Sequence, residues 1–79
     1  MTLSMTLRQL VQQIDKGKMP KDYPGIFEGQ TFTNLRFARM GTKRNLWYVE
    51  FERNGKMQMY DSSQMIEIIN GDLAFVLQD

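Results

Sequence analysis

Two residue types are missing from this 79-residue chain: it has no cysteine and no histidine. Without cysteine there is no disulfide framework and no thiolate metal site. Without histidine the usual acid–base group near neutral pH is gone, and so is the commonest metal ligand. No Ser-His, Cys-His or histidine–zinc arrangement can be assembled. A cleft of perturbed titratable groups is also hard to build in so small a core, and the expectation is a protein that is not an enzyme. No run of about 18 apolar residues is present to span a bilayer. The first residues, Met1-Thr2-Leu3-Ser4-Met5, lack the basic segment and apolar core of a secretory leader. A cytoplasmic protein with no membrane segment is expected. The phosphate-cradling glycine loops, the EF-hand pattern, zinc-finger spacing and the ribonucleoprotein signature are all absent. No cofactor and no metal are expected.

What remains is an ordinary globular composition, 42% hydrophobic and 24% charged. The length fits one domain over residues 1–79, and a chain this short buries only about 60% of its unfolded surface. Charge is unevenly spread. Residues 36–56 carry six basic side chains against two acidic ones, whereas residues 57–79 carry four acidic and no basic ones. Such a split suits a polyanion site or a surface that docks a partner of mixed charge.

Leu46 to Asp61 is the organising stretch. Leu46-Trp47-Tyr48-Val49-Glu50-Phe51-Glu52 and Lys56-Met57-Gln58-Met59-Tyr60 both alternate, and Arg53-Asn54-Gly55 lies between them. Two alternating runs around Asn-Gly predict a β-hairpin. With a loop of only Asn54-Gly55, Glu52 faces Met57 and Glu50 faces Met59, which mixes charge with apolar surface. With a three-residue loop, Gly55 is left-handed in a bulge and the faces segregate. The second register is the expected one. It turns Trp47, Val49, Phe51, Met57 and Met59 inward. It places Tyr48 opposite Tyr60, Glu50 opposite Gln58 and Glu52 opposite Lys56 on the outer face.

Elsewhere, Leu7, Leu10, Val11 and Ile14 recur at the spacing of one helical stripe. Thr6 and Gln9 have capping-box spacing, and Gly17 is placed to end the helix. Lys18 to Gly25 reads as a loop broken by Pro20 and Pro24. Ile26 to Met40 reads as extended, with a kink near Gly29-Gln30. Leu35 and Phe37 then point to the core, while Phe32, Asn34, Arg36, Ala38 and Met40 lie on the other face. Arg36 falls beside Glu50 and Glu52, and Arg39 is inward by parity. Gly41-Thr42-Lys43-Arg44-Asn45 reads as an exposed basic turn. Met65, Ile66, Ile68 and Ile69 have helical spacing behind the cap residues Asp61-Ser62-Ser63, which predicts a short second helix from Ser63 to Asn70. Leu73-Ala74-Phe75-Val76-Leu77 reads as a last strand.

The expected fold is α+β: an N-terminal helix packed on a three- to four-stranded antiparallel meander, a short second helix and a last strand. The alternative is a helix followed by a five-stranded barrel of the SH3-like or Sm-like kind. It requires Ile26-Phe27 and Met65–Ile69 to be strands. Function is expected at the outer sheet face. Tyr48, Tyr60, Arg36 and Gln58 would form a docking patch for another protein or a second copy of the chain. The alternative is a nucleic-acid-binding domain, in which Arg36, Arg39, Lys43, Arg44, Arg53 and Lys56 hold the phosphates of DNA or RNA. Glu50 and Glu52, in the middle of that face, argue against it.

Overall fold

A computed structural model describes residues 1–38 and 47–76. In chain order the elements are β1 (Thr2–Thr6), α1 (Leu7–Asp15), β2 (Tyr23–Pro24), β3 (Thr31–Phe37), β4 (Tyr48–Arg53), β5 (Lys56–Asp61), β6 (Met65–Ile69) and β7 (Asp72–Phe75). The architecture of the described residues is α+β, with one short helix and two antiparallel sheets. One sheet has the order β1-β6-β7 and the other β2-β3-β4-β5. An isolated parallel bridge between Gly25 and Leu73 joins their neighbouring edges.

The helix follows its sequence signals closely. Thr6 caps it with a complete capping box: its hydroxyl accepts from Gln9 N (3.1 Å) while Gln9 Oε1 accepts from Thr6 N (2.9 Å). At the other end Gly17 has φ 73°. Its N–H donates to Ile14 O and that of Lys18 to Gln13 O, the paired bonds of a Schellman motif. Leu7, Leu10 and Val11 are buried, and the helix packs on β3 and β4.

The β4–β5 hairpin forms, but in the register that mixes its faces. Arg53 pairs with Lys56, Phe51 with Gln58, Val49 with Tyr60 and Tyr48 with Asp61. The loop is therefore Asn54-Gly55 alone, and the expected three-residue loop is corrected. Both loop residues are left-handed, at φ 52° and 83°, which makes a type I′ turn. That turn has the twist the flanking strands need. The inner face consists of Val49 and Phe51 with Gln58 and Tyr60, so an aromatic ring replaces two methionines in the core. Met57 and Met59 point outward beside Glu52 and Glu50 and are 56% and 44% exposed. Trp47, expected inside, precedes β4 and is 66% exposed.

The predicted second helix is a strand. Met65–Ile69 pairs on one side with β1 and on the other with β7. Ile66 and Ile68 are buried two residues apart, a strand's spacing, and their branched side chains suit a pleated surface. Asn70-Gly71 is a second type I′ turn, at φ 51° and 91°, joining β6 to β7. The N-terminal segment contributes β1, which was not expected as a strand.

The two asparagines play matching parts. Asn54 N–H donates to Thr31 O (3.0 Å), and Asn54 Oδ1 accepts from Thr31 N (2.8 Å). Asn70 N–H donates to Met1 O (3.1 Å), and Asn70 Oδ1 accepts from the Met1 amino group (2.8 Å). Each turn thus ties its hairpin to the start of a third strand, β3 in one sheet and β1 in the other.

In β3 the pairing with β4 shifts between Thr33 and Arg36, and Asn34 takes φ 57°. The irregularity turns both Phe32 and Leu35 inward, although strict alternation places them on opposite faces. Phe37, expected in the core, is half-buried at its margin. Ile26 and Phe27 are exposed loop residues, so the five-stranded alternative meets only one of its two conditions. Met40 and Leu77 lie outside the described residues.

Tyr23 is buried, and its hydroxyl has no hydrogen-bond partner among the described residues. Tyr23→Phe removes a buried polar group without opening a large cavity. We expect a gain of about 1 kcal/mol in urea-unfolding free energy. Burial also raises the phenol above its ordinary value of 10.0, since the charged form is disfavoured. The stability linked to keeping the Tyr23 phenol neutral is therefore fully present below pH 10.0. Stability falls as pH rises from there through the folded-state value. The Tyr23→Phe variant lacks that alkaline loss, which a comparison of the two proteins' melting across pH checks.

Candidate functional site

Four rings from four strands meet where the sheets face each other. Tyr60 and Phe75 lie 4.8 Å apart, Phe32 and Phe75 5.4 Å, Phe51 and Tyr60 5.6 Å, and Phe51 and Phe75 5.6 Å between centroids. Phe51 is the buried floor of this cluster. The other three rings, Phe32, Tyr60 and Phe75, line with Leu73 a cleft of about 210 Å³. Ile26 and Phe27 form its rim, 49% and 68% exposed. Small-molecule pockets typically run from about 300 to 1,000 Å³. This cleft is smaller and matches a single inserted side chain better than a cofactor.

Three polar groups border it. Gln64 Nε2 is held by Val76 O (2.8 Å) and Met65 O (3.0 Å), which fixes one wall. Gln58 Oε1 is buried and lacks a partner among the described residues. The Arg53 guanidinium lies 6.0 Å from the Phe32 ring centre, within cation–π range. The cleft therefore presents an apolar interior and one cation.

The outer sheet face has a different character. Arg36 Nε donates to Glu50 (3.0 Å), and its Nη1 reaches Asn34 O (2.7 Å) and Glu52 (3.5 Å). The expected placement of Arg36 beside both glutamates is what the structure shows. All three side chains are about a quarter to a third exposed, so each pair contributes at most about 1 kcal/mol. At the far end of β5, the Ser63 hydroxyl (2.6 Å) and N–H (2.8 Å) both donate to Asp61 Oδ1. These bonds hold the Asp61 carboxyl below its usual value.

The four residues expected to form one docking patch do not share a surface. Tyr48 and Arg36 lie outside, whereas Gln58 and Tyr60 lie inside at the cleft. The tyrosine pair depended on the other hairpin register. Of the basic set, Arg53 faces the cleft, Lys56 opposes it across the turn, and Arg36 is held by the glutamates. Arg39, Lys43 and Arg44 lie outside the described residues. Sequence reasoning missed Ile26, Phe27, Gln64 and Phe75 as site residues. The usable signal was Ile26-Phe27, two large apolar residues between Pro24-Gly25 and Glu28-Gly29. Apolar residues in a loop of breakers are exposed unless something covers them.

Among the described residues, no group of three or more acidic side chains is placed to hold a metal. No described helix is long and apolar enough to cross a membrane. No protein-family model matches the chain, and neither does any curated protein or solved structure.

Proposed function

We propose that the chain is a small non-enzymatic protein-interaction domain whose aromatic cleft receives one large apolar side chain of a partner. The observation that carries this is the pairing of a cleft of about 210 Å³ with an exposed rim of Ile26 and Phe27. Burying one such side chain is worth about 1.5–3 kcal/mol. The rim residues add contact around it and exclude water. Arg53 favours an acidic residue next to the inserted one. The non-enzymatic part rests on composition, since no histidine or cysteine is available for catalysis.

Selection of displayed random peptides against the purified protein tests this. Recovered peptides should share a large apolar residue flanked by Asp or Glu. Phe27→Ser should weaken them at least 10-fold, about 1.4 kcal/mol. It should leave the melting temperature unchanged, because Phe27 is 68% exposed. Peptides without an apolar anchor, or peptides indifferent to Phe27→Ser, overturn the proposal. So does tight binding of a single-stranded oligonucleotide that falls steeply with salt, the mark of phosphate recognition by the basic residues.

A further inference from the structure

Among the described residues β5 is the last strand of its sheet. Its two-residue loop makes Arg53–Lys56 the first hydrogen-bonded pair, so Phe51–Gln58 and Val49–Tyr60 follow as bonded pairs. The backbone groups of Lys56, Gln58 and Tyr60 are thus spent on β4. Those of Met57, Met59 and Asp61 point away from the sheet. Asp61 O accepts from Gln64 N (3.0 Å), while Met57 and Met59 have no backbone partner beyond β5 among the described residues. An open edge with exposed apolar side chains is a template for another strand. Soluble domains blunt such edges with lysine or proline, yet the two outward positions here hold methionine.

From this edge we infer that two copies of the chain pair through β5, antiparallel, about a two-fold axis at Gln58. A two-fold axis perpendicular to the sheet keeps inner and outer faces aligned, which allows three central residues on the free stretch. Centring on Met57 sets Met59 against the turn glycine Gly55. Centring on Met59 sets Met57 against Asp61, a charge whose carbonyl is already used. Centring on Gln58 sets Met57 against Met59 of the second copy, twice. It satisfies every free N–H and C=O of the two methionines with four mutual bonds. The edge is complementary to itself in hydrogen bonds and apolar surface. A single strand pair lies at the small end of specific interfaces, so the dimer forms reversibly with concentration.

Sedimentation equilibrium between about 10 μM and about 1 mM should show the mass rising from 9.3 kDa toward twice that value. Met59→Pro should abolish the rise. It removes an outward donor and no bond to β4, a place where strands accept proline. Single cysteines in this cysteine-free chain read the register without relying on that variant. Gln58→Cys should form a disulfide dimer at least 10-fold faster than Met57→Cys. Across the axis the Gln58 Cα atoms lie about 4.5 Å apart, within disulfide reach, while those of Met57 exceed about 7 Å. The more exposed Met57 wins if dimers arise from random collision. A monomer at all concentrations, faster cross-linking of Met57→Cys, or species larger than a dimer overturns the proposal.

Discussion

Phe51→Ala should lower the unfolding free energy at 25 °C by about 3–5 kcal/mol, whereas Trp47→Ala should unfold like the wild type. Phe51 has no exposed surface and touches rings from β3, β5 and β7, so it couples the two sheets. Truncating such a residue costs about 3–5 kcal/mol in lost transfer energy and cavity. At the usual stability per residue, 79 residues give a total of only about 4–12 kcal/mol. The loss is therefore at least about a quarter of the margin, and all of it at the low end of that range. Trp47 is larger, but two-thirds of it already faces water, and little burial is lost with it. Urea titrations followed by circular dichroism separate the two. A Phe51→Ala midpoint close to that of the wild type would show that the sheets do not depend on this ring. A large loss for Trp47→Ala would place the indole in the core after all.

That contrast marks where sequence reasoning succeeds on this chain. Elements specified by nearby residues are legible. The stripe Leu7–Leu10–Val11, the Thr6–Gln9 box and Gly17 define α1 within one turn of chain, and the structure buries that stripe. The Asn-Gly pair at 54–55 predicts a hairpin, and one forms. Its register is harder, because two local rules conflict. Clean segregation of faces asks for a bulged loop, while the strand twist asks for a type I′ turn. The twist prevails since Tyr60 fills the inner face better than Met57 or Met59, and Arg36 makes the mixed outer face tolerable.

Met65–Ile69 fails for a different reason. Five residues fit either period, and the arbiter is β1, about 60 residues away in sequence. The Asn70-Gly71 pair carried the same hairpin signal as Asn54-Gly55 but read as a helix stop. The cleft is less legible still. Its walls come from β3, β5 and β7 together, and Phe32 reaches it only because β3 slips at Asn34. No alternation rule places that slip.

Asn54 tests the turn argument most directly. Asn54→Val should cost about 2–3 kcal/mol, Asn54→Gly about 1, and Asn54→Asp under about 0.5. Two separable terms produce this order. At φ 52° a side chain with a branched Cβ meets the backbone and is strained by about 1–2 kcal/mol. Asparagine and aspartate tolerate the conformation, and glycine has no Cβ to clash. The second term is the side-chain bond to Thr31 N (2.8 Å), worth about 1 kcal/mol, which valine and glycine lose and aspartate keeps. Asn70→Val and Asn70→Gly should repeat the pattern through the Met1 amino group (2.8 Å), with Asn70→Asp again mild. Unfolding free energies of the six variants decide it. In the bulged register only Gly55 needs a left-handed conformation, and Asn54→Val is then nearly neutral while Gly55→Val is severe. Equal costs for valine and glycine at position 54 would likewise remove the backbone term and, with it, the type I′ turn that sends Tyr60 into the cleft.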